Sequence, residues 1–283
     1  MPAYDMRARQ PSFSYCVTSD HNLQKGTNDL SSRRTNRILP FILPVAGLAA
    51  WTLCSRAQIF PAGLVPSPME VVQGFAEQVQ RGRMFDDLIA SLFRVTTGFL
   101  IAVALGVPLG LFIGLKIHAR TALLPTVNFF RSLSPLAWIP FALMWFGLGD
   151  KPAIFLIFMA SFFPMVLATT AAVANIPTVY FRVAKDFGLD RGKLLTQVTL
   201  PAIMPQIITA LRVTAGMSWV VVVAAEMIAG REGLGFLIQD ARNQLRPDLL
   251  VVGMTAIGLI GIVLDRLLVQ LTRIPSIRWG YEK

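Results

Sequence analysis

PAIFLIFMASFFPMVLATTAAVANIPTVYF, residues 152–181, runs for 30 residues without an Asp, Glu, Lys or Arg. A helix needs only about 20 apolar residues to cross the hydrocarbon of a bilayer. A second charge-free run, Val95–Leu115, has 21 residues. The whole chain is 54% hydrophobic and 15% charged, with a mean hydropathy of +0.58, whereas charged residues make up about a quarter of a soluble domain. Lipid offers no hydrogen bonds to the backbone, so only helices or closed barrels span it, and continuous apolar runs lack the alternation of barrel strands. The expected fold is therefore all-α and integral to the membrane.

Working outward, the apolar pattern predicts six transmembrane helices at about 38–54, 92–115, 122–147, 153–175, 205–229 and 248–270. They form one transmembrane domain over 38–270, between a polar and disordered N-terminal tail (1–37) and a short C-terminal tail (271–283). Pro40 and Pro44 should kink or interrupt the first span, and Pro135 and Pro140 the third. The segments assigned to one side hold 17 basic and 7 acidic residues, and those on the other 7 basic and 9 acidic. The positive-inside rule then places both termini in the cytoplasm, as an even number of spans requires. On the outer side, Ser67 and Pro68 open an amphipathic helix with Val71, Val72, Phe75 and Val79 on one face.

The net charge of +10 comes from residues at span ends, which sets topology and does not make a nucleic-acid surface. Cys16 and Cys54 have no metal-ligand spacing. The basic loop RVAKDFGLDRGKLLTQVTLP, Arg182–Pro201, asks for more explanation than topology gives. Its pattern predicts a helix over 177–187, with Val179, Val183 and Phe187 on one stripe, stopped by Gly188. Asp190 then caps a second helix that runs to Leu200, where Pro201 ends it and Pro205 helps start the next span. Arg182, Lys185, Arg191 and Lys193 face water. A helical hairpin with its own apolar stripe exceeds what orientation needs, and points to docking of a cytoplasmic protein over about 177–201.

These residues resemble the cytoplasmic signature of membrane permease subunits of bacterial ABC importers: Glu-Ala-Ala, three residues, Gly, nine residues, then Ile-x-Leu-Pro. Here Arg182-Val183-Ala184 is followed by Lys185-Asp186-Phe187, Gly188, nine residues, and Val198-Thr199-Leu200-Pro201. Arg182 stands where the family has Glu, and Val183 where it has Ala. The docking role carries over, but the family glutamate's ion pair does not carry over with it. Further stretches resemble the branch that includes aliphatic sulfonate, taurine, nitrate and bicarbonate permeases. They are Pro66-Ser67-Pro68, Ser91-Leu92-Phe93-Arg94, Pro135-Leu136-Ala137 through Gly149, and Ala224-Ala225-Glu226-Met227 through Ile238. The resemblance implies a multi-pass protein of the bacterial inner membrane. It also implies an importer built from two permeases (a second copy of this chain), two ABC ATPase subunits and an extracytoplasmic solute-binding protein.

Energy has to come from that partner, because no G-x-x-x-x-G-K-[ST] loop occurs in the chain. ATP and Mg²⁺ are expected in the ATPase subunit, with no cofactor here. His21 and His118 stand alone, without a zinc or nucleophile motif, so the chain is not expected to be an enzyme. A self-sufficient channel or ion-coupled carrier is the competing class, but it would call for mid-span carboxylates, and Glu226, Asp248 and Asp265 mark span ends. Candidate pathway residues are Arg131, Ser134, Arg212, Ser218 and Glu226. Arg131 and Arg212 supply positive charge for an anion, and Glu226 anchors a loop or sits at the interface. Arg94 is expected to pair with an outer carboxylate such as Asp87. Aliphatic sulfonate is the favoured substrate, with nitrate as runner-up and taurine, bicarbonate or thiamine-precursor pyrimidines also open.

Overall fold

The computed structural model describes residue 42 and residues 45–57 and 65–271, and every regular element among them is helical. Both tails, and Pro40 and Pro44 of the first predicted span, lie outside the described residues. Helix α1 covers 45–56 and belongs to a compact unit of its own, Met1–Ile59; the remaining helices belong to Phe60–Lys283. Among the described residues, four helices are long and apolar enough to cross a membrane: Arg83–Leu115, Asp150–Ala174, Arg191–Ala229 and Pro247–Gln270.

Helix α2 (Pro68–Gln80) starts in a reciprocal capping box. Ser67 Oγ accepts from the Glu70 amide, and the Glu70 carboxylate accepts from the Ser67 amide at 2.8 Å. Arg246 donates to both carboxylate oxygens of Glu77 on α2, which holds that carboxyl below the usual carboxylate range. It also reaches Asp248, at the start of helix α11 (Pro247–Leu271), and so ties α2 to α11.

Helix α3 (Arg83–Leu115) begins nine residues before the predicted span. Its polar first turns are satisfied by tertiary partners, such as Arg83 to Asp240 at 2.7 Å on helix α10 (Leu234–Asn243), so the helix need not stop where the apolar run stops. The third predicted span is divided. Helix α4 (Ile117–Ser132) ends at Leu133 and Ser134, which are both extended; a 3₁₀ turn (Pro135–Trp138) follows, then helix α5 (Ile139–Phe146). Pro135 forces this break, because a proline ring excludes its preceding residue from the α region. The resulting apolar segment Pro135–Phe146 is too short to count among the four long helices.

Helix α6 (Asp150–Ala174) is the centre of the bundle. Among its core residues are Leu156, Ile157, Met165 and Val166, all inaccessible. It packs along α3 through a seam of small residues at four-residue spacing: Gly98, Ala102, Gly106, Gly110 and Gly114. A Cβ on Gly110 would lie 2.6 Å from Thr169 Cβ and 2.7 Å from the Val166 carbonyl oxygen; on Gly98 it would lie 2.8 Å from the Ile154 carbonyl oxygen. Only glycine permits so close a backbone approach. The Thr170 hydroxyl adds a cross-helix contact to the Gly110 carbonyl at 3.1 Å.

The hairpin follows as helix α7 (Thr178–Asp186) and a short helix α8 (Arg191–Lys193). Here the structure corrects the sequence reading, because the second arm does not end at Pro201. It continues through a π-helical segment, Leu194–Thr199, into helix α9 (Leu200–Ala229), making one rod over Arg191–Ala229. In the wide turn the Leu200 amide donates to the Leu195 carbonyl, five residues back. Pro201 follows directly after this wide turn, as the second residue of α9.

The seam generates a sharp contrast. Gly110→Val should overpack it and cost about 1–3 kcal/mol or more, whereas Gly258→Ala, with open space around it, should leave stability unchanged. Thermal unfolding of the purified chain in detergent checks both.

Candidate functional site

The hairpin's turn is built by local rules. Gly188 has φ +68°, its amide donates to the Lys185 carbonyl, and the Leu189 amide reaches back to Ala184 at 3.0 Å. This is the paired hydrogen-bond pattern of a Schellman stop, which favours glycine at the left-handed position. Asp190 accepts from the Lys193 amide at 3.2 Å and starts the second arm. Ala184 is buried, while Arg182, Lys185 and Asp186 are exposed. The apolar stripe faces outward: Val179 is 61%, Val183 46% and Phe187 80% accessible. Leu200 is half-buried and Pro201 exposed on the first turn of α9, where Pro201 lines a cavity of about 470 Å³ between the hairpin and the bundle.

Of the predicted pathway residues, Arg131 reaches a large cavity. That cavity, about 580 Å³, lies between the end of α4, the 3₁₀ turn, α6 and α9, with Phe130, Met159, Met217 and Val220 among its walls. Ser134 is exposed at the α4–α5 break beside it. Ser218 is fully buried and serves packing: it donates to the Thr214 carbonyl, so Ser161 on α6 donates to it, at 2.5 Å. Arg212 meets Asp265 of α11 in a two-pronged pair, 2.6 and 2.9 Å, which neutralises its charge.

Glu226 is wholly inaccessible and sits in a buried polar knot. Arg94 Nη1 donates to its Oε1 at 2.7 Å, while Ser91 Oγ (2.9 Å) and the Gly235 amide (3.0 Å) donate to Oε2. Arg94 also bonds Asp150 at 2.7 Å and the Glu232 carbonyl at 2.6 Å. Its partner is thus not Asp87. That carboxylate instead accepts from the Gly233 amide at 2.7 Å, and Ser91 Oγ accepts from the Leu234 amide. Gly233 has φ +115°, and any Cβ there would collide with the Glu226 carboxylate. The knot pins the 230–235 turn to α3, α6 and α9. Ser91, Arg94, Gly233 and Gly235 all stood in the sequence motifs, but nothing local joins residues 132 positions apart.

Breaking a buried pair on one side strands the other charge, at about 3–5 kcal/mol. Glu226→Leu and Arg94→Leu should each destabilise strongly, and the double variant should recover part of the loss. A double-mutant cycle on unfolding midpoints measures that coupling.

Comparison with known proteins places this geometry. Residues 106–274 match the family described as "Binding-protein-dependent transport system inner membrane component". A putative ABC transporter permease protein of Methanocaldococcus jannaschii is 37% identical over 234 residues, covering 81% of this chain and 87% of that protein. The taurine transport system permease protein of Escherichia coli is 33% identical, covering 77% and 81%. The bicarbonate transport system permease protein of Synechococcus elongatus is 35% identical, covering 91% and 98%. Among solved structures, an inward-facing MetNI methionine ABC transporter aligns with TM-score 0.52 at 20% identity, over 65% of this chain and 93% of that one, a likeness of fold. This chain, with its spanning helices and close-packed α3–α6 core, belongs to the binding-protein-dependent ABC transporter permeases, multi-pass components of the inner membrane.

Proposed function

We propose that the chain is the membrane permease of an ATP-driven importer for a small anion, and that the Arg182–Pro201 hairpin is the surface on which its ATPase subunit docks. The observation that carries this reading is the uncovered stripe of Val179, Val183 and Phe187 on a hairpin rimmed by exposed cations. An isolated stripe of that kind fits a partner's groove. Mg²⁺ and ATP belong to that partner. Arg191 continues without a break into α9, so a push on the hairpin is transmitted along one rod toward the cavity beside Arg131. The reading includes six spans with both termini and the hairpin inside, a second copy of the chain as the other permease, and an extracytoplasmic solute-binding protein.

Anion import is supported by the relatives named for taurine, bicarbonate and nitrate and by Arg131 at the cavity. Aliphatic sulfonate is the favoured substrate, because the cavity walls are mostly apolar and suit an alkyl group beside one guanidinium. Nitrate is the second reading, favoured by a nitrate import permease of Leptolyngbya laminosa that is 38% identical over 184 residues. Arg131 and Ser134 line or flank the path in either case. Arg212, Ser218 and Glu226 act from farther out, by holding α9 in register.

Phe187→Asp removes the most exposed apolar contact, and Gly188→Val forces a branched residue into the left-handed region at about 1–2 kcal/mol. Both should cut ATPase co-purification and coupled uptake about tenfold or more, and unchanged values would oppose the docking role. Alkanesulfonates should compete with labelled substrate in uptake assays while nitrate does not; the reverse pattern favours the second reading.

A further inference from the structure

Three arginines of the long helices are neutralised within the chain, Arg83 by Asp240, Arg94 by Glu226 and Asp150, and Arg212 by Asp265, while Arg191 and Arg266 are exposed and make no ion pair among the described residues. Helix α4 departs from this pattern. Its Arg120 and Arg131 make no side-chain hydrogen bond or ion pair among the described residues, although Arg120 is half-buried. They stand at the two ends of a second cavity, about 430 Å³, between α4 and α6, and Asn128 lies between them. No carboxylate lines that cavity, and its α6 wall is Pro164, Leu167, Ala168, Thr170 and Ala171. The two cavities share Arg131 and Pro164, so the smaller one continues the larger. It runs toward the hairpin end of the bundle, where the last turns of α3 and α6 pack through Gly114 and Val173.

We infer that α4 carries an anion relay, Arg131–Asn128–Arg120, along which the transported anion leaves the central cavity toward the hairpin end. This inference rests on the anion-import reading and adds Arg120 and Asn128 to it. Eleven residues of helix place the backbones of Arg120 and Arg131 about 16 Å apart along the axis, and Asn128 lies three residues, about 4.5 Å, from Arg131. That separation is too great for one small anion to touch both cations, so the site holds it at two stations, with the Asn128 amide donating in between. An unpaired guanidinium against an apolar wall draws an oxyanion strongly, and Arg at each station offers paired donors to its oxygens. Two stations of moderate strength suit release better than one deep trap, because the anion must leave as readily as it enters. The same chemistry would hold a lipid headgroup, but the continuity with the central cavity selects the transported anion.

The test uses the whole transporter, with its ATPase and solute-binding subunits, in vesicles of phosphatidylcholine. Cys16 and Cys54 are replaced by Ser, and ATP-driven uptake of taurine, ethanesulfonate, nitrate and bicarbonate is measured. Whichever anion the parent takes up fastest is the probe. Arg120→Cys should lower its uptake about tenfold, the worth of one charge-assisted contact. Arg120→Lys should retain most of it, and Asn128→Leu should fall several-fold. Reacting the cysteine with a thiosulfonate that carries a trimethylammonium group should restore uptake, and one that carries a sulfonate should not. Undiminished uptake in Arg120→Cys, or equal restoration by both reagents, would overturn the relay. So would a loss confined to vesicles that also contain phosphatidylglycerol, which would assign the groove to a headgroup. Should the parent take up none of the four anions, the import reading itself falls, and the relay with it.

Discussion

Backbone-to-backbone approach between α3 and α6 is the constraint on which the rest of this bundle depends. In lipid, hydrocarbon side chains gain little by leaving one apolar surface for another, so helices associate through close van der Waals contact and hydrogen bonds. The seam of Gly98, Ala102, Gly106, Gly110 and Gly114 supplies that contact, and the Thr170 hydroxyl adds a bond across it. Because α6 is held this closely on one side, its other faces are free to receive α9 through the Ser161–Ser218 bond and to wall the cavities beside α4.

The two ends of that rigid pair carry opposite kinds of polar structure. At one end Arg94, Glu226, Asp150 and the 230–235 turn are locked together, and the buried charges of Arg94 and Glu226 meet partners in surroundings where an unpaired one would be costly. At the other end the hairpin presents cations and an apolar stripe to its exterior, with few contacts to hold it. A stiff rod, Arg191–Ala229, joins the two. Its π-helical segment lies just where the hairpin meets the bundle, and wide turns of this kind are frequent at functional positions. A protein so arranged can move one end against a fixed core without repacking that core.

How much of this was legible in the sequence follows from the range of each cause. Lipid imposes its demand residue by residue, so the charge-free runs disclosed α3 and α6; Gly188 and Asp190 disclosed the hairpin's turn because stop and cap signals act over a few positions. The glycine seam was also present as a four-residue repeat and went unread, since each glycine alone looks like a weak helix former. The Arg94–Glu226 and Arg212–Asp265 pairs were beyond reach: their members lie 132 and 53 residues apart, and several carboxylates competed as partners. Pro201 misled because a proline ordinarily ends a helix, and the π segment that accommodates it has no local signature. Arg131 was proposed as charge near a path, but the contrast between the free arginines of α4 and the paired Arg83, Arg94 and Arg212 exists only in three dimensions.

The central claim, that the exposed hairpin is covered by a separate ATPase, is tested most directly by its reactivity in the assembled transporter. Cysteines placed one at a time at Val179, Val183 and Phe187 would be labelled with a water-soluble thiol reagent, in the permease alone and in complex with the ATPase subunit. The account predicts rapid labelling in the free permease and protection of all three positions in the complex. Equal labelling in both would contradict it.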